Sequence, residues 1–150
     1  MIKQANRTDC KILAKLAMQL WEGHSLEELQ EEFDRLTENP DAACFIKYVD
    51  DNTIGFAQCQ LRRDYVEGTS SSPVGYLEGI FVAEGFRHRG YAKELLFRCE
   101  QWASEKHCNE FASDCEINNE ASLQFHLAMG FDVANRIICF KKSLKIIDKS

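Results

Sequence analysis

The segment Arg87-His88-Arg89-Gly90-Tyr91-Ala92 has the composition of an anion-binding loop. It follows the apolar run Gly79-Ile80-Phe81-Val82 and leads into a strongly amphipathic helical pattern, so the local order is strand, basic loop, helix. Backbone N–H groups crowded at a helix start, with the positive end of the helix dipole behind them, suit a phosphate or pyrophosphate. Gly90 lets the backbone approach the anion, Arg87 and Arg89 add positive charge, and the small Ala92 leaves room for the helix to begin beside the ligand. Two carboxylates stand nearby in the pattern, Glu78 just before the apolar run and Asp114 at the carboxyl end of the next predicted strand, Glu110 to Asp114. Glu78 has the chemistry of a general base, and Asp114 that of a partner for a substrate ammonium. The residue types alone equally permit a strand glutamate facing water and a helix cap.

Composition narrows the field. The chain has 150 residues, 45% of them hydrophobic, which fits one domain over 1–150 with its own core. Its 18 Lys and Arg against 24 Asp and Glu give a formal charge of −6, which argues against nucleic-acid and anionic-membrane partners. A cationic substrate suits that balance, and so does plain solubility. Seven cysteines (Cys10, Cys44, Cys59, Cys99, Cys108, Cys115 and Cys139) form no C-x-x-C pair, and an odd count is a poor basis for a disulfide framework. Reduced thiols in the cytoplasm are expected. No histidine stands in a local catalytic signature with a cysteine, and no paired ligand spacing points to a metal. There is no apolar leader at the amino terminus and no run of about 18 apolar residues.

The elements that must hold these residues can be read in order. Leu13, Leu16, Ala17 and Leu20 recur at helical spacing after Thr8, and Gly23 ends that helix. Ser25-Leu26-Glu27-Glu28 is a capping-box signature for a second helix with Leu26, Leu29, Phe33 and Leu36 on its apolar side. Residues 43–49 and 53–59 read as an antiparallel hairpin around Asp50-Asp51-Asn52. A polar loop between Arg63 and Pro73 is placed to overhang a site. After it come a long strand to Val82, the basic loop, and a helix whose buried stripe is Ala92, Leu95, Leu96, Cys99, Trp102 and Ala103. A strand at 110–114, a helix from Asn119 to Met129 stopped by Gly130, and a closing pair of strands between Asp132 and Leu144 complete the chain. Early antiparallel strands followed by a strand–helix–strand unit give an α/β fold, a mixed and mostly antiparallel central sheet with helices on both faces.

The basic loop resembles the (Gln/Arg)-x-x-Gly-x-(Gly/Ala) element of the GCN5-related N-acetyltransferases (GNAT), and Asn119, Ser122 and Gly130-Phe131 resemble that superfamily's Asn-x-x-Ala...Gly-Phe helix signature. A narrower likeness is carried by Gln19-Leu20-Trp21 with Gly23-His24, then Asp64-Tyr65-Val66, Ser72-Pro73-Val74, Leu77-Glu78-Gly79-Ile80-Phe81-Val82 and Ala112-Ser113-Asp114. In order and approximate spacing these fragments are similar to the aminoglycoside 6′-N-acetyltransferases. The resemblance implies a GNAT fold, acetyl-coenzyme A as cosubstrate without a metal, and transfer of acetyl to the 6′-amine of an aminoglycoside. That transfer removes a positive charge the antibiotic uses on ribosomal RNA. It also implies that Phe81, Val82, Arg87, His88, Arg89, Gly90, Tyr91, Ala92 and Asn119 bind the cosubstrate. Trp21, His24, Tyr65, Glu78 and Asp114 fall on the substrate side.

The chemistry asks for two further groups. A backbone amide must polarise the thioester carbonyl, and Val82 is the candidate. Glu78 lies four residues before it, so the strand period of two places both side chains on one face, about 13 Å apart at strand rise. That span favours proton removal through water. Where many of the superfamily's enzymes carry a tyrosine acid for the leaving thiolate, this chain has His126. An imidazole there can donate a proton or merely bind the cosubstrate, and a thiol with a pKa of about 8.5 can also leave unassisted. Two rivals stand beside this reading, an acetyltransferase for a polyamine, metabolite or protein amine, and a coenzyme A-binding sensor without turnover. The family is often dimeric, and Ile137, Ile138 and Phe140 are the apolar positions that could pair across a homodimer interface.

Overall fold

Alternating apolar residues in 42–62 form the expected hairpin, β2 (Ala42–Val49) and β3 (Asn52–Arg62). Asp50 and Asp51 make its turn with left-handed backbone, φ 49° and 64°, a conformation that a short polar side chain tolerates. In the computed structural model, which describes residues 1–145, this hairpin is the middle of a five-stranded sheet. Next to β3 runs β4 (Val74–Val82), antiparallel, and beyond β4 lies β5 (Phe111–Ala112), parallel to it. On the other side, β1 (Ile2–Gln4) pairs antiparallel with β2. With only three residues β1 is too short to show a period, and the sequence reading passes over it.

Helices cover both faces, as the strand–helix–strand order requires. On one face, α1 (Cys10–Ala17) and α2 (Leu26–Glu38) bring Leu13, Ala14, Leu29 and Phe33 onto Cys44, Ile46, Phe56 and Phe81. Ser25 caps α2, its Oγ accepting the Glu28 N–H at 3.1 Å. On the other face lies α3 (Tyr91–Glu105), the crossover that makes the β4–β5 pairing parallel. Its stripe Leu95, Leu96, Cys99, Trp102 and Ala103 is buried against Ala43, Phe45, Ala57, Cys59, Leu77 and Val82. Phe125 of α4 (Glu120–Ala128), with Met129 and Phe131 after it, extends the same layer.

The closing pair of strands expected between Asp132 and Leu144 does not form. Residues 131–145 carry no strand pairing, and Ile138 and Phe140 are 77% and 91% exposed. The start of this arm leans on the 63–73 loop, where Asn135 Nδ2 donates to Glu67 Oε1 at 3.0 Å. A Cβ on Gly68 would stand 2.5 Å from Ala134 Cβ. Beyond that contact the arm has the composition of a strand and, among the described residues, no strand beside it. A strand exists only where its N–H and C=O groups find a ladder, and this one finds none among the described residues.

Candidate active site

β4 parts from β5 after Tyr76. The pairing covers Gly75 with Phe111 and Tyr76 with Ala112, and from Leu77 to Val82 β4 is paired with β3 alone. Its outer edge therefore presents unpaired backbone groups to a ligand. At the end of β4 a short 3-10 turn, Glu84–Phe86, leads into the basic loop. There His88 and Gly90 both take left-handed backbone, φ 63° and 84°. Such alternation turns successive N–H groups inward as an anion-binding nest, and the first amides of α3 have no partner within the helix. A Cβ at Gly90 would meet nothing, so glycine is needed there for its backbone freedom rather than for space. Arg87 bends back, its Nε donating to the Val82 carbonyl at 2.8 Å, which ties the loop to the strand end. His88 and Arg89 are exposed, and Tyr91 and Ala92 are half-buried at the helix start. A nest, an unpaired edge and a helix N-terminus in sequence fit an elongated ligand with a pyrophosphate at one end.

Glu78 is the extra residue of a β-bulge. Gln58 pairs with Gly79 and Cys59 with Leu77, which leaves Glu78 opposite nothing. The bulge overturns the expectation that Glu78 and Val82 share a face. Val74, Tyr76 and Glu78 alternate onto the side that Arg62 occupies, whereas Ile80 and Val82 pack with Leu77 under α3. A period of two holds only in a regular strand, and one inserted residue reverses it. Gly79, just after the bulge, is required by the Trp21 ring, which lies 2.5 Å from where its Cβ would be.

On that side the carboxylates belong to a chain of contacts. Arg62 donates from Nε to Glu78 Oε1 at 2.9 Å and from Nη2 to Oε2 at 2.8 Å, a bidentate pair. Its guanidinium stacks 3.4 Å above the centre of the Tyr76 ring. The Tyr76 hydroxyl donates to Asp114 Oδ2. Burial and then the Asp114 carboxylate push the Tyr76 phenol well above its ordinary value, so it stays protonated and holds Asp114. Glu78 on β4 and Asp114, two residues past the end of β5 because the strand expected over 110–114 stops at Ala112, are thus joined through Arg62 and Tyr76, neither of which the sequence reading singles out. Gly79 was the available signal, since a glycine inside a strand marks a bulge or a close approach.

His126 faces the same region from α4. Its Nδ1 lies 2.7 Å from the Ser122 carbonyl, which can only accept, so Nδ1 carries a proton. Its Nε2 lies 2.8 Å from Ser113 Oγ, next to Asp114. Asn119 caps α4, its Oδ1 accepting from the Ser122 N–H at 3.1 Å. Trp21 packs edge-on to Phe56, ring centres 5.8 Å apart, and on Gly79, so it is both core margin and a wall next to the bulge. Tyr65, 77% exposed, stands on the 63–73 loop, and His24 is exposed 3.5 Å from Glu28 in the turn before α2. Neither is hydrogen-bonded or ion-paired to the two carboxylates among the described residues. Among the described residues no His, Cys, Asp and Glu group could hold a metal ion, and no helix is long and apolar enough to cross a membrane.

The chain matches known proteins along nearly its whole length. The family model described as Acetyltransferase (GNAT) family covers residues 11–131. Aminoglycoside N(6′)-acetyltransferase type 1 of Salmonella typhimurium is 40% identical over 141 residues, spanning 94% of this chain and 97% of the relative. The protein of that name from Acinetobacter haemolyticus is 35% identical over 95% of this chain and 98% of its own length. The chain belongs to the aminoglycoside 6′-N-acetyltransferases of the GNAT family. The structure of AAC(6′)-Iy with the bisubstrate analog CoA-S-monomethyl-acetylneamine superposes on this acetyltransferase with a TM-score of 0.92 at 39% identity, covering 96% of this chain and 98% of that one. AAC(6′)-IG from Acinetobacter haemolyticus, solved apo, gives 0.90 at 33% identity, with 97% and 99% covered.

Proposed function

We propose that this acetyltransferase moves an acetyl group from acetyl-coenzyme A to the 6′-amine of aminoglycoside antibiotics, by direct attack in a ternary complex, and so confers resistance. The observation that carries the reading is the joined pair Glu78 and Asp114 beside the unpaired edge of β4, in a chain that matches 6′-N-acetyltransferases along nearly their full length. A polycationic sugar is recognised by such carboxylates through charge-assisted hydrogen bonds. Acetyl-coenzyme A, when bound, supplies an acetyl group activated as a thioester.

The protein's own groups do the rest. The loop from Arg87 to Ala92 holds the pyrophosphate with its amides, and the open edge near Phe81 and Val82 holds the pantetheine arm. The Val82 N–H polarises the thioester carbonyl. Glu78 takes the proton of the substrate ammonium through water; a carboxylate has about four lone-pair positions, so the Arg62 pair leaves room for a further donor. The freed amine nitrogen forms the amide bond as the carbon–sulfur bond breaks, and the thiolate departs. His126, with Nδ1–H committed to Ser122, returns a proton to sulfur only in its doubly protonated form. Asp114 binds a second substrate ammonium, Trp21 and Tyr65 offer faces to the sugar rings, and His24 lines the approach. The seven free cysteines and the use of acetyl-coenzyme A support a cytoplasmic setting for the enzyme.

The exposed arm supports a homodimer. Ile137, Ile138, Phe140 and Leu144 face solvent on a segment that has no ladder among the described residues, and a second copy can supply one. A chain ending at Asn135 should then sediment as a monomer where the full chain sediments as a dimer, and equal mass for both would refute the arm's role. For the activity, purified protein is incubated with acetyl-coenzyme A and kanamycin, tobramycin or spermidine, and thiol release and the site of acetylation are measured. Mono-acetylation at the 6′-nitrogen is expected. Release with spermidine alone would reassign the acceptor, and tight cosubstrate binding without turnover would mark a sensor.

A further inference from the structure

A second buried charge lies outside the acceptor side. Lys47 is on β2, where alternation sends Ala43 and Phe45 into the core beneath α3, so its position calls for an apolar side chain. Its side chain is only 9% exposed, with Nζ 2.9 Å from Glu94 Oε2. The same nitrogen stands 4.8 Å from the centre of the Tyr91 ring. A lysine buried this far loses hydration, and here a carboxylate and an aromatic face offset the loss.

Both partners sit in the first turn of α3, where Tyr91 is the first residue and the Glu94 N–H meets the Gly90 carbonyl at 3.1 Å. Apart from Tyr91 and Ala92, which pack half-buried on the core, that turn has few other anchors. Gly90 provides no side-chain cap, and the fully buried residues of α3 begin only at Leu95. Along the sheet, Lys47 pairs with Gly55 and Gly55 with Val82. The row is tight, since a Cβ on Gly55 would stand 2.5 Å from the Phe81 carbonyl oxygen and 3.3 Å from Val82 Cα. Lys47 therefore ties the start of α3 to the row of the sheet that, through Gly55, holds Val82 at the end of β4.

We propose that Lys47 is a positioning residue for the acetyl donor, one that fixes the first turn of α3 relative to the end of β4 so that the pyrophosphate and thioester subsites keep one separation. The inference rests on the reading of residues 77–92 as the donor site. The informative variant is Glu94→Gln, because Glu94 is exposed and glutamine keeps its shape while removing the charge that pairs with Lys47. Coulomb repulsion alone makes removal of a carboxylate near an anionic donor tighten binding, whereas loss of the clamp loosens it. Acetyl-coenzyme A is titrated calorimetrically into the wild type, Glu94→Gln, Lys47→Met, Lys47→Arg and the Lys47→Met/Glu94→Gln double variant, and steady-state constants are measured for both substrates.

Each single variant at Glu94 or Lys47→Met should raise the donor Kd and KM about tenfold, the size of one charge-assisted contact, with the aminoglycoside KM unchanged and kcat within about twofold. The double variant should be no worse than Lys47→Met, and Lys47→Arg should recover part of the loss. Tighter or unchanged donor binding by Glu94→Gln, or additive losses in the double variant, would overturn the inference. If Lys47→Met does not fold, Glu94→Gln decides alone. Failure of the wild type to bind acetyl-coenzyme A would remove the donor-site reading itself.

Discussion

Along β4 the site changes its building material. From Val82 through the loop to Ala92, the segment proposed for the donor is backbone, with two left-handed residues, a helix N-terminus and one strand edge without a ladder. From Val74 to Glu78, the acceptor side is side chains, with a bulged glutamate, the arginine that grips it, a tyrosine beneath that arginine and an aspartate beyond. A donor common to many enzymes is held by groups that do not depend on side-chain identity. An acceptor that distinguishes one enzyme from another is held by groups that do. The two regions should therefore fail separately under mutation.

The largest expected effect is at their junction. Glu78→Gln removes the base and should lower kcat by about 10²- to 10⁴-fold, while the acetyl-coenzyme A Kd measured by calorimetry stays at the wild-type value. A donor-side break comes next. Gly90→Val forces a β-branched residue into left-handed backbone at about 1–2 kcal/mol, so the donor Kd should rise roughly tenfold with the aminoglycoside KM unmoved. On the acceptor side, Tyr76→Phe removes the hydroxyl that holds Asp114. Because Asp114 is exposed and water replaces part of that bond, the aminoglycoside KM should rise only about fivefold, and the donor Kd should not change. Smallest is Cys115→Ser, an exposed thiol beside Asp114, for which all constants should stay within about twofold in initial-rate measurements. A large loss there would put a thiol into the chemistry and erase the contrast.

The same division explains what could be read before folding. The loop at 87–92 is contiguous, so its glycine, its charges and the following helix stand together in the sequence. The stripe of α3 and the β2–β3 hairpin announce themselves by period. Arg62 and Tyr76 do not, because antiparallel register brings Arg62 opposite Val74 and within reach of Glu78, and no local pattern encodes that meeting. The face of Glu78 was misjudged for a related reason, since a single inserted residue reverses an alternation that is otherwise sound. The segment from Asp132 to Leu144 shows the opposite failure. Apolar composition there signals a strand, but a strand is a property of a pair, and among the described residues Ile138 and Phe140 have no strand to pair with.

One comparison of substrates tests the central claim most directly. Neomycin and paromomycin differ in carrying an amine or a hydroxyl at the 6′ position, so they present the same sugar framework with and without the proposed nucleophile. Initial rates of acetyl-coenzyme A-dependent thiol release are measured with each at equal concentration. Release with neomycin and none with paromomycin is the result this account predicts. Equal release with both would place the transfer on another amine and contradict it.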